Sequence, residues 1–334
     1  MMQGELGVGV VGYGRAGVGH MRAAQRADGG SLIGVAESSA ERRAEAAKQF
    51  DCAIVADYHE LLRRDDVHVI TICLPHWLHE QVAVDAAKAG KHILLEKPMA
   101  METDECDRIN DVVAKQGVKL MVGHSQHYSP FNLAAKERID AGDIGPIVFQ
   151  TLNWYKPLGL AQRPAWGMDR SKGGGMLQMN GAHMIDACRW LAGQPVTAVA
   201  GRVANDVFGD RVKADDSMLG LLRFADGHYA SVAHVAYEQG VEHYQHDIVG
   251  TRGQLRVASY QPNPGLWIAR DGSFEKVEMA SHRGQGFANE LVDLINAVRD
   301  DRPTPIDGQY GREIVAAMTA LEESTRTGHE VHTV

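Results

Sequence analysis

With 334 residues, 44% of them hydrophobic and 23% charged, the chain has the composition of a globular protein and the length for two domains, each with its own core. A formal net charge of −9 disfavours a nucleic-acid partner, because such binding surfaces are normally basic. The sequence shows neither an apolar run of the roughly 18–20 residues that a membrane helix needs nor a signal-peptide pattern at its start. Four scattered cysteines without a C-x-x-C pair indicate thiols in a reducing compartment, so we expect a cytoplasmic protein with no membrane partner.

A glycine-rich turn follows the first apolar run. Gly12, Gly14 and Gly17 match the dinucleotide-binding pattern G-x-G-x-x-G, although an ordinary strand-to-helix turn is the alternative interpretation. In that pattern the first glycine allows a tight turn, the second lets the backbone approach a pyrophosphate, and the third lets the next helix pack closely. A helix over 16–27 would direct its free N–H groups at the phosphates. The predicted cofactor-binding residues here are Gly12, Tyr13, Gly14, Arg15, Ala16 and Gly17.

The second apolar strand, at 32–36, ends in Glu37, about 20 residues after Gly17. An acid at this spacing accepts hydrogen bonds from the adenosine ribose and repels a 2′-phosphate, which favours NAD. Ser38 is expected to contribute to the same ribose site. Ser38, Arg42 and Arg43 would instead form a phosphate site if Glu37 turned away, so NADP stays open as the cofactor.

Strand and helix patterns alternate up to Gly123, which predicts a doubly wound parallel sheet of the Rossmann type. Strands are predicted at 67–73, 92–95 and 119–122, the first of them β-branched and typical of an interior strand. Ligands of such sheets bind at the carboxyl ends of the strands. Lys97, just after one of these ends, is a candidate proton acceptor, because an apolar strand and a cationic nicotinamide beside it would favour its neutral amine. The alternative is a solvated lysine paired with Glu96.

In combination, the glycine loop, Leu74-Pro75-His76 with His79, and Glu96-Lys97-Pro98 resemble the glucose–fructose oxidoreductase/inositol dehydrogenase family (Gfo/Idh/MocA). The resemblance spans the chain and implies a pyridine-nucleotide oxidoreductase that acts on sugars, cyclitols and related alcohols. It also implies that Lys97 transfers a proton and that a cis bond precedes Pro98. The further cofactor-binding residues that it implies are Leu74, Pro75, His79, Glu96 and Lys97.

Past Gly123, strands follow one another without intervening helices, which predicts a mostly antiparallel sheet. These strands are predicted at 147–155, 196–203, 218–224, 228–237 and 254–257. Asp226-Gly227 indicates a hairpin, and two amphipathic helices close the chain. We therefore divide the chain into an NAD(P)-binding Rossmann domain (1–123) and an α+β domain (124–334) for substrate binding and oligomerisation. The resemblance implies an open-faced sheet in the second domain, through which a homodimer or homotetramer forms.

Three consecutive glycines, Gly173-Gly174-Gly175, open a predicted helix on which positions 176, 179, 180 and 183 share one side. This helix is similar to the family's substrate helix, which implies that His183 faces the nicotinamide and polarises the reacting hydroxyl. A core histidine held by Asp186 is the alternative. Many relatives have an aspartate at the position of Met179. Asn180 offers an amide but cannot transfer a proton, so we expect a substrate unlike that of the inositol-type enzymes.

Other second-half residues indicate how a substrate would be held. The loop with His127 and the segment Gln162-Arg163-Pro164 resemble the family branch that dehydrogenates phthalate dihydrodiols, and Arg163, Arg170 or Lys172 could bind a carboxylate. Trp154, Tyr155 and Trp166 could form an apolar or sugar-stacking wall. The predicted substrate residues are His127, Tyr155, Arg163, Asn180 and His183. Histidine pairs such as His124/His127 do not have the pattern of zinc enzymes, so we expect no metal.

The predicted function is hydride transfer between NAD(P) and a CH–OH carbon of a small polyol, cyclitol, sugar derivative or hydroxylated carboxylate, with Lys97 and His183 as the catalytic residues. The alternatives are a phthalate-dihydrodiol-type dehydrogenase, a redox-neutral glycosidase with tightly held NAD, and a non-catalytic NAD(P)-binding regulator, which Met179 favours.

Overall fold

A computed structural model describes residues 4–260, 262–279 and 286–333. The chain divides into two compact units. The first comprises the described residues of Met1–Tyr128 and Gln285–Arg312, and the second those of Ser129–Gly284 and Glu313–Val334. The first division lies close to the expected boundary at 123. Residues 286–312, which we expected in the second domain, instead pack with the first unit.

A parallel six-stranded sheet forms the centre of the first unit. Its strands are β1 (Leu6–Val11), β2 (Gly30–Ala36), β3 (Ala53–Val55), β4 (Val69–Ile72), β5 (His92–Glu96) and β6 (Leu120–Gly123). Their spatial order is β3-β2-β1-β4-β5-β6. The chain adds β2 and β3 on one side of β1 and then crosses over to add β4, β5 and β6 on the other side, which confirms the predicted doubly wound topology. β1 and β4 are buried along their whole length, as expected of strands covered by helices on both faces.

The helices of the whole described chain are α1 (Arg15–Ala24), α2 (Ala40–Gln49), α3 (Tyr58–Leu62), α4 (His79–Lys88), α5 (Thr103–Gln116), α6 (Pro130–Asp140), α7 (Ala182–Ala192), α8 (Gly286–Arg299) and α9 (Gly308–Thr327). The five helices α1 to α5 alternate with the strands of the first sheet. Each helix carries the chain back to the amino end of the sheet, so that all six strands run in the same direction. Helix α8 packs against α1 and against β2, β5 and β6, which is why it belongs to the first unit.

A nine-stranded sheet forms the second unit. Its strands are β7 (Ile147–Pro157), β8 (Val196–Ala204), β9 (Ser217–Phe224), β10 (Tyr229–Tyr237), β11 (His243–Gly250), β12 (Gly253–Ser259), β13 (Gly265–Ala269), β14 (Phe274–Lys276) and β15 (Val331–His332). The order is β14-β13-β12-β11-β7-β10-β9-β8-β15, and every pair is antiparallel except β7 with β10. The expected mostly antiparallel sheet is confirmed, as is the hairpin at Asp226-Gly227, which joins β9 to β10.

Side chains alternate along the central strands of this second sheet. On β7, Gln150, Leu152 and Trp154 are buried, whereas the residues between them are partly exposed. β10 shows the same alternation, with His234 among its buried residues. Helix α7 packs against β7 and β10 and covers the buried face of the sheet. Trp154 and His234 lie on this face, next to the helix that carries His183.

Candidate active site

The glycine loop joins β1 to α1, and its three glycines have different surroundings. Gly12 has φ +101°, and a Cβ there would lie 2.4 Å from the carbonyl oxygen of Cys73. A Cβ on Gly17 would lie 1.9 Å from the carbonyl oxygen of Gly12. A Cβ on Gly14, in contrast, would have no atom of the described part of the chain within 4 Å. Packing thus requires glycine at 12 and 17, while Gly14 leaves room for a ligand against the backbone at the start of α1.

The other residues of this loop, Tyr13, Arg15 and Ala16, could contact a cofactor mainly through their backbone N–H groups. The Tyr13 side chain is buried and packs edge-on against Phe50, at a centroid distance of 6.2 Å. Arg15 is exposed, and Ala16 is partly buried in the first turn of α1. The Gly14 N-cap has no side-chain hydrogen bond, so the first N–H groups of α1 suit a phosphate. These features fit the pyrophosphate of a dinucleotide.

Glu37 directly follows β2 and is fixed beside the glycine loop. Its Oε2 accepts the Tyr13 N–H at 3.0 Å, and its Oε1 accepts the Ser39 N–H at 2.8 Å. The Ser38 hydroxyl lies 3.4 Å from the same Oε1. Oε2 accepts one hydrogen bond and keeps a second lone pair, so Glu37 has acceptor capacity left for a ribose hydroxyl.

The two arginines that offered an alternative phosphate site have partners here. Nη1 of Arg43 donates to the carbonyl oxygens of Glu37 and Ser38, at 2.8 and 2.7 Å. Arg42 lies with its Nη1 3.9 Å from the Glu37 carboxylate. Because Glu37 faces the loop, this arrangement suits a free 2′-hydroxyl better than a 2′-phosphate.

His79 joins the segments that follow β4 and β5. Its ring is fully buried, with Nε2 2.9 Å from the Leu74 carbonyl oxygen and Nδ1 2.9 Å from the Pro98 carbonyl oxygen. Burial lowers the pKa of His79 more than these two carbonyls raise it. Both ring nitrogens therefore face backbone carbonyls of the two segments, and the cofactor contact that the resemblance implied for His79 stays a prediction.

Leu74 and Pro75 lie at the same edge of the sheet. A Cβ on Gly12 would lie 3.2 Å from Cδ2 of Leu74, so this side chain contacts the glycine loop. Pro75 precedes a short 3₁₀ turn, His76–Leu78, that leads into α4. The segment after β4 is thus held against the loop that follows β1.

Lys97 directly follows β5 at this same edge, and the Lys97–Pro98 peptide is cis, as expected. The lysine is partly buried, and its backbone N–H donates to Oε2 of Glu96 at 3.2 Å. The other oxygen of Glu96 lies 2.9 Å from Nε2 of His20 on α1. Burial raises the pKa of Glu96, but the His20 hydrogen bond and the charges of His20, Lys97 and His79 outweigh it, and the net shift is downward. Lys97 therefore has an ionised carboxylate as its direct neighbour in the chain.

The segment before His183 differs from the single regular helix that was predicted. Leu177–Gly181 forms a π-helical turn, which α7 follows. Met179 packs on an apolar cluster with Met176. Asn180 instead contacts His234, and His183 lies with its ring 6.5 Å from that of Trp154. Because the π-helical turn is wider than an α-helical one, positions 176, 179, 180 and 183 do not share one environment, although the sequence predicted that they would lie on one side of a helix.

Asn180 and His234 form a buried polar pair, and His234 was not among the residues predicted from the sequence. Nδ2 of Asn180 lies 2.7 Å from Nε2 of His234. Burial, reinforced by the charges of Lys156 and Arg163, lowers the pKa of His234 to about 3, so its ring is neutral near neutral pH. A neutral Nε2 accepts the amide hydrogen, which leaves the amide oxygen as the atom that Asn180 can offer to a ligand. Alternation along β10 was the signal available for finding His234.

Trp154 is held in place beside this pair. Its Nε1 donates to Oε1 of Glu242 at 3.0 Å, and its ring packs edge-on against His234 at 5.9 Å. Lys156 lies 5.2 Å from the Trp154 ring centroid and 3.2 Å from Glu242. Tyr260 stacks on the indole at 6.0 Å. These contacts bury the indole, which is 5% exposed, and fix it beside the Asn180–His234 pair.

The structure gives the following surroundings for three other predicted substrate residues, Tyr155, His127 and Arg163. Tyr155 follows Trp154 on β7, so its side chain projects from the opposite face, where it stacks on His243 at 5.7 Å. His127 belongs to the first unit, with Nε2 3.2 Å from the Tyr310 hydroxyl. Arg163 lies near enough to lower the pKa of His234, whereas Arg170 pairs with Glu322.

Neither a metal cluster nor a membrane helix is found in the described part of the chain. Within 4–260, 262–279 and 286–333, no group of three or more His, Cys, Asp or Glu side chains is arranged to hold a metal ion. Over the same ranges, no helix combines the length and apolarity that crossing a membrane requires.

Comparison with known proteins identifies the family. Residues 6–124 match the sequence model described as "Oxidoreductase family, NAD-binding Rossmann fold", and residues 132–256 match the GFO/IDH/MocA C-terminal domain. Together the two matches cover more than two thirds of the chain.

Individual relatives agree with this result. A 2,7-anhydro-N-acetylneuraminate hydratase of Mediterraneibacter gnavus is 28% identical over 261 residues, which cover 75% of this chain and 67% of the relative. The scyllo-inositol 2-dehydrogenase (NAD(+)) of Bacillus subtilis is 25% identical over 331 residues, or 95% of this chain and 94% of the relative. The structure of a levoglucosan dehydrogenase in complex with NADH and L-sorbose has the same fold, with a TM-score of 0.90 at 24% identity and coverage of 99% of this chain and 100% of that chain. The chain is therefore a member of the Gfo/Idh/MocA family, an oxidoreductase with an NAD-binding Rossmann domain, as the glycine loop and the segments around His79 and Lys97 predicted.

Proposed function

We propose that the protein transfers a hydride between NAD and a CH–OH carbon of a small polyol, cyclitol, sugar derivative or hydroxylated carboxylate. Lys97 moves the hydroxyl proton, and His183 orients and polarises the substrate oxygen. The observation that carries the proposal is the position of Lys97, which directly follows β5 at the edge of the sheet where Glu37 and the glycine loop also lie. The names of the inositol and levoglucosan dehydrogenases among its relatives support the same substrate class.

Residues of the first unit fit the parts of NAD in turn. The glycine loop suits the pyrophosphate, Glu37 the adenosine ribose, and the segments after β4 and β5 the nicotinamide. When bound, the nicotinamide supplies the hydride acceptor or donor. The chain's own residues then have to hold the substrate and move one proton.

Lys97 is suited to the proton transfer because an amine takes up a proton in its neutral form and releases one as an ammonium. Oxidation of an alcohol releases the hydroxyl proton to the neutral amine, and reduction of a carbonyl takes the proton back from the ammonium. The ionised Glu96 beside it favours the ammonium, whereas partial burial of Lys97 favours the amine.

Asn180 and Trp154 favour a neutral, hydroxylated substrate. The amide oxygen of Asn180 can accept a hydroxyl hydrogen but carries no charge, and the buried indole of Trp154 makes the surroundings of the Asn180–His234 pair apolar. Met179 packs in an apolar cluster, so this turn presents an amide where many family members have a carboxylate. Arg163 would add affinity for a substrate that carries a carboxylate.

A panel of alcohols tests the proposal directly. scyllo-Inositol, myo-inositol, levoglucosan and a dihydrodiol carboxylate are each incubated with NAD or NADP, and NADH or NADPH formation is followed by its near-ultraviolet absorbance. We expect turnover with NAD for at least one compound, and loss of that turnover in Lys97→Met. Turnover that is unchanged in Lys97→Met would contradict the proposed role of this lysine.

A redox-neutral reaction is the second candidate, because one relative is named a hydratase. In such a reaction a transient oxidation at one carbon permits elimination and addition, and the hydride then returns, so that no net NADH forms. Product analysis with substoichiometric NAD separates the two functions. Product without NADH accumulation favours the redox-neutral reaction, and NADH in proportion to product favours the dehydrogenase.

The exposed face of the second sheet supports a homo-oligomer as the working form. Leu219 and Leu221 on β9 are 59% and 40% exposed, and they project from the face opposite α7. Light scattering on the purified protein is expected to give a dimer or tetramer, and Leu219→Lys with Leu221→Lys a smaller species. The described cysteines are all free, which suits a reducing compartment, and we propose the cytoplasm.

A further inference from the structure

The loop between β10 and β11 places a carboxylate beside the indole of Trp154. Glu242, the residue before β11, accepts the Trp154 Nε1 hydrogen on its Oε1 at 3.0 Å. The same oxygen lies 3.2 Å from Nζ of Lys156, in an ion pair. Within residues 4–260, 262–279 and 286–333, no hydrogen bond or ion pair engages the other oxygen, Oε2. Glu242 therefore keeps one carboxylate oxygen for a ligand.

Exposure separates this carboxylate from the aromatic ring that holds it. The indole of Trp154 is buried, which leaves a ligand little of the ring to contact. The side chain of Glu242 is 25% exposed, and that of Lys156 is 21% exposed. The charged edge of the cluster thus reaches the surface, whereas its aromatic centre does not.

Tyr237 fixes the loop that carries Glu242. It is the last residue of β10, and it pairs with Pro157 at the end of β7. Its hydroxyl donates to the carbonyl oxygen of Val241, the residue before Glu242. A Cβ on Gly240 would lie 2.6 Å from Cε2 of the same ring, so the loop backbone packs directly on Tyr237. The loop is therefore held from the sheet, and the carboxylate has a defined position.

Trp154 is a common neighbour of Glu242 and of residues that the proposed function assigns to the substrate. Its ring lies 5.9 Å from that of His234, which contacts Asn180, and 6.5 Å from that of His183. Glu242 accepts the hydrogen of the same ring. All five side chains belong to the second unit. One buried indole therefore connects the exposed carboxylate with the amide of Asn180 and the imidazole of His183.

The open oxygen of Glu242 selects for a hydrogen-bond donor, because an ionised carboxylate only accepts hydrogen bonds. A hydroxyl group supplies the hydrogen, and the charge of the acceptor strengthens the bond. A second carboxylate has no hydrogen to give and is repelled by the first. The amide oxygen of Asn180 is an acceptor as well, whereas Met179 in the same turn packs in an apolar cluster. The acceptors present therefore suit a ligand with several hydroxyl groups.

We propose that Glu242 is a specificity-determining residue, whose Oε2 accepts a hydrogen bond from a substrate hydroxyl other than the one that is oxidised. The inference rests on the proposed function and narrows its substrate class to a neutral polyol, cyclitol or sugar derivative, in preference to a hydroxylated carboxylate. Glu242 takes no part in hydride or proton transfer, so it contributes to binding and not to the chemical step.

Glu242→Gln tests this in the full-length protein saturated with NADH. The amide oxygen of the variant still accepts the Trp154 N–H, so the fold is kept while the charge is removed. Binding of scyllo-inositol, myo-inositol, levoglucosan and a dihydrodiol carboxylate is measured by saturation-transfer NMR titration. We expect the wild type to bind at least one of the three neutral compounds more tightly than the carboxylate. The Kd of that compound should rise by about tenfold or more in Glu242→Gln.

Steady-state kinetics with the same compound separate binding from chemistry. In Glu242→Gln, KM should rise by a factor similar to that of Kd, while kcat stays within about threefold of the wild-type value. Glu238→Gln is the matched control, because Glu238 lies on the same loop and is also ion-paired, but with Arg211 and with a side chain that is 53% exposed. This variant should bind the neutral compound and NADH as the wild type does.

Three results would overturn the inference. The first is a wild-type protein that binds none of the neutral compounds, or that binds the carboxylate more tightly than all three. The second is an equal Kd in the wild type and Glu242→Gln, and the third is an equal loss of affinity in Glu238→Gln. Failure of the proposed function has a separate signature, which is Glu242-dependent binding of the neutral compound together with full turnover in Lys97→Met.

Discussion

The amide nitrogen of Asn180 lies 2.7 Å from Nε2 of His234, and this contact joins the π-helical turn before α7 to the central strand β10. His234 is fully buried, so its neutral ring acts as the acceptor. The next residue toward the N-terminus, Met179, packs in an apolar cluster. Within this turn it is therefore Asn180, and not Met179, whose side chain makes the polar contact with β10.

Asn180→Asp should reverse the hydrogen bond. A carboxylate can only accept, so His234 has to donate through Nε2, and the negative charge beside it favours the imidazolium. We expect the pKa of His234 to rise from about 3 by about 1–3 units, measured by NMR titration of the histidine ring signals. Asn180→Leu is the control and should leave His234 neutral across the same range. An unchanged His234 pKa in Asn180→Asp would show that the two side chains are not in contact.

The first sheet could be predicted from the sequence because each of its strands and helices has a local signal. These signals are the apolar periodicity of the strands and helices and the glycines of the turn between β1 and α1. β11 was missed because it carries the polar side chains of His243, Gln245 and Asp247, and its pairing with β7 and β12 is what makes it a strand. The π-helical turn and the assignment of α8 to the first unit also depend on distant contacts, such as that of Phe287 with His20. No local pattern reports such contacts.

Lys97→Met should abolish most of the activity without preventing cofactor binding. The substitution keeps a long apolar side chain but removes the amine, so we expect turnover to fall by roughly 10²–10⁴-fold. NADH affinity, measured by fluorescence titration, should change far less, because the glycine loop and Glu37 are untouched. Lys88→Met, at the exposed end of α4, is the matched control and should behave like the wild type.

Glu37→Ala tests the choice of cofactor. The substitution removes the acceptors for the Tyr13 and Ser39 N–H groups as well as the ribose contact. We expect NADH affinity to fall by about tenfold or more and the preference for NADH over NADPH to narrow, because the repulsion of a 2′-phosphate is lost. Fluorescence titrations with both nucleotides measure this. Equal NADH affinity in wild type and variant would rule out the ribose contact.

Gly14→Ala and Gly17→Ala separate cofactor binding from folding. A methyl group at 14 meets open space within the described chain, so the free energy of unfolding of the unliganded protein should change by less than about 1 kcal/mol. NADH binding should weaken, because the methyl group occupies the space left for the ligand. A methyl group at 17 meets the Gly12 carbonyl oxygen at 1.9 Å, so this variant should be strongly destabilised. Thermal unfolding with and without NADH distinguishes the two. Wild-type NADH affinity in Gly14→Ala would show that no ligand approaches this part of the loop.

Asp215 should make the stability of the second unit depend on pH. Its Oδ2 accepts the Leu177 N–H at 2.7 Å at the start of the π-helical turn, and its Oδ1 is buried against Gly175. Burial raises the pKa of Asp215 to about 6, above the value of an unfolded aspartate. The folded state therefore binds more protons than the unfolded state between about pH 4 and pH 6, and stability is lost as the pH rises through this window.

Asp215→Asn keeps an acceptor for the Leu177 N–H but removes the buried charge. We expect the variant to be more stable than the wild type by about 1–3 kcal/mol at about pH 8, with the difference disappearing below about pH 4. Thermal unfolding as a function of pH measures this, and Asp210→Asn, at an exposed aspartate, should show no such trend. Because the turn that Asp215 holds also carries Asn180 and leads into the helix of His183, protonation of this carboxyl changes the stability of the segment that positions both side chains. A variant that is less stable than the wild type at high pH would mean that the charge of Asp215 stabilises the turn, contrary to its raised pKa.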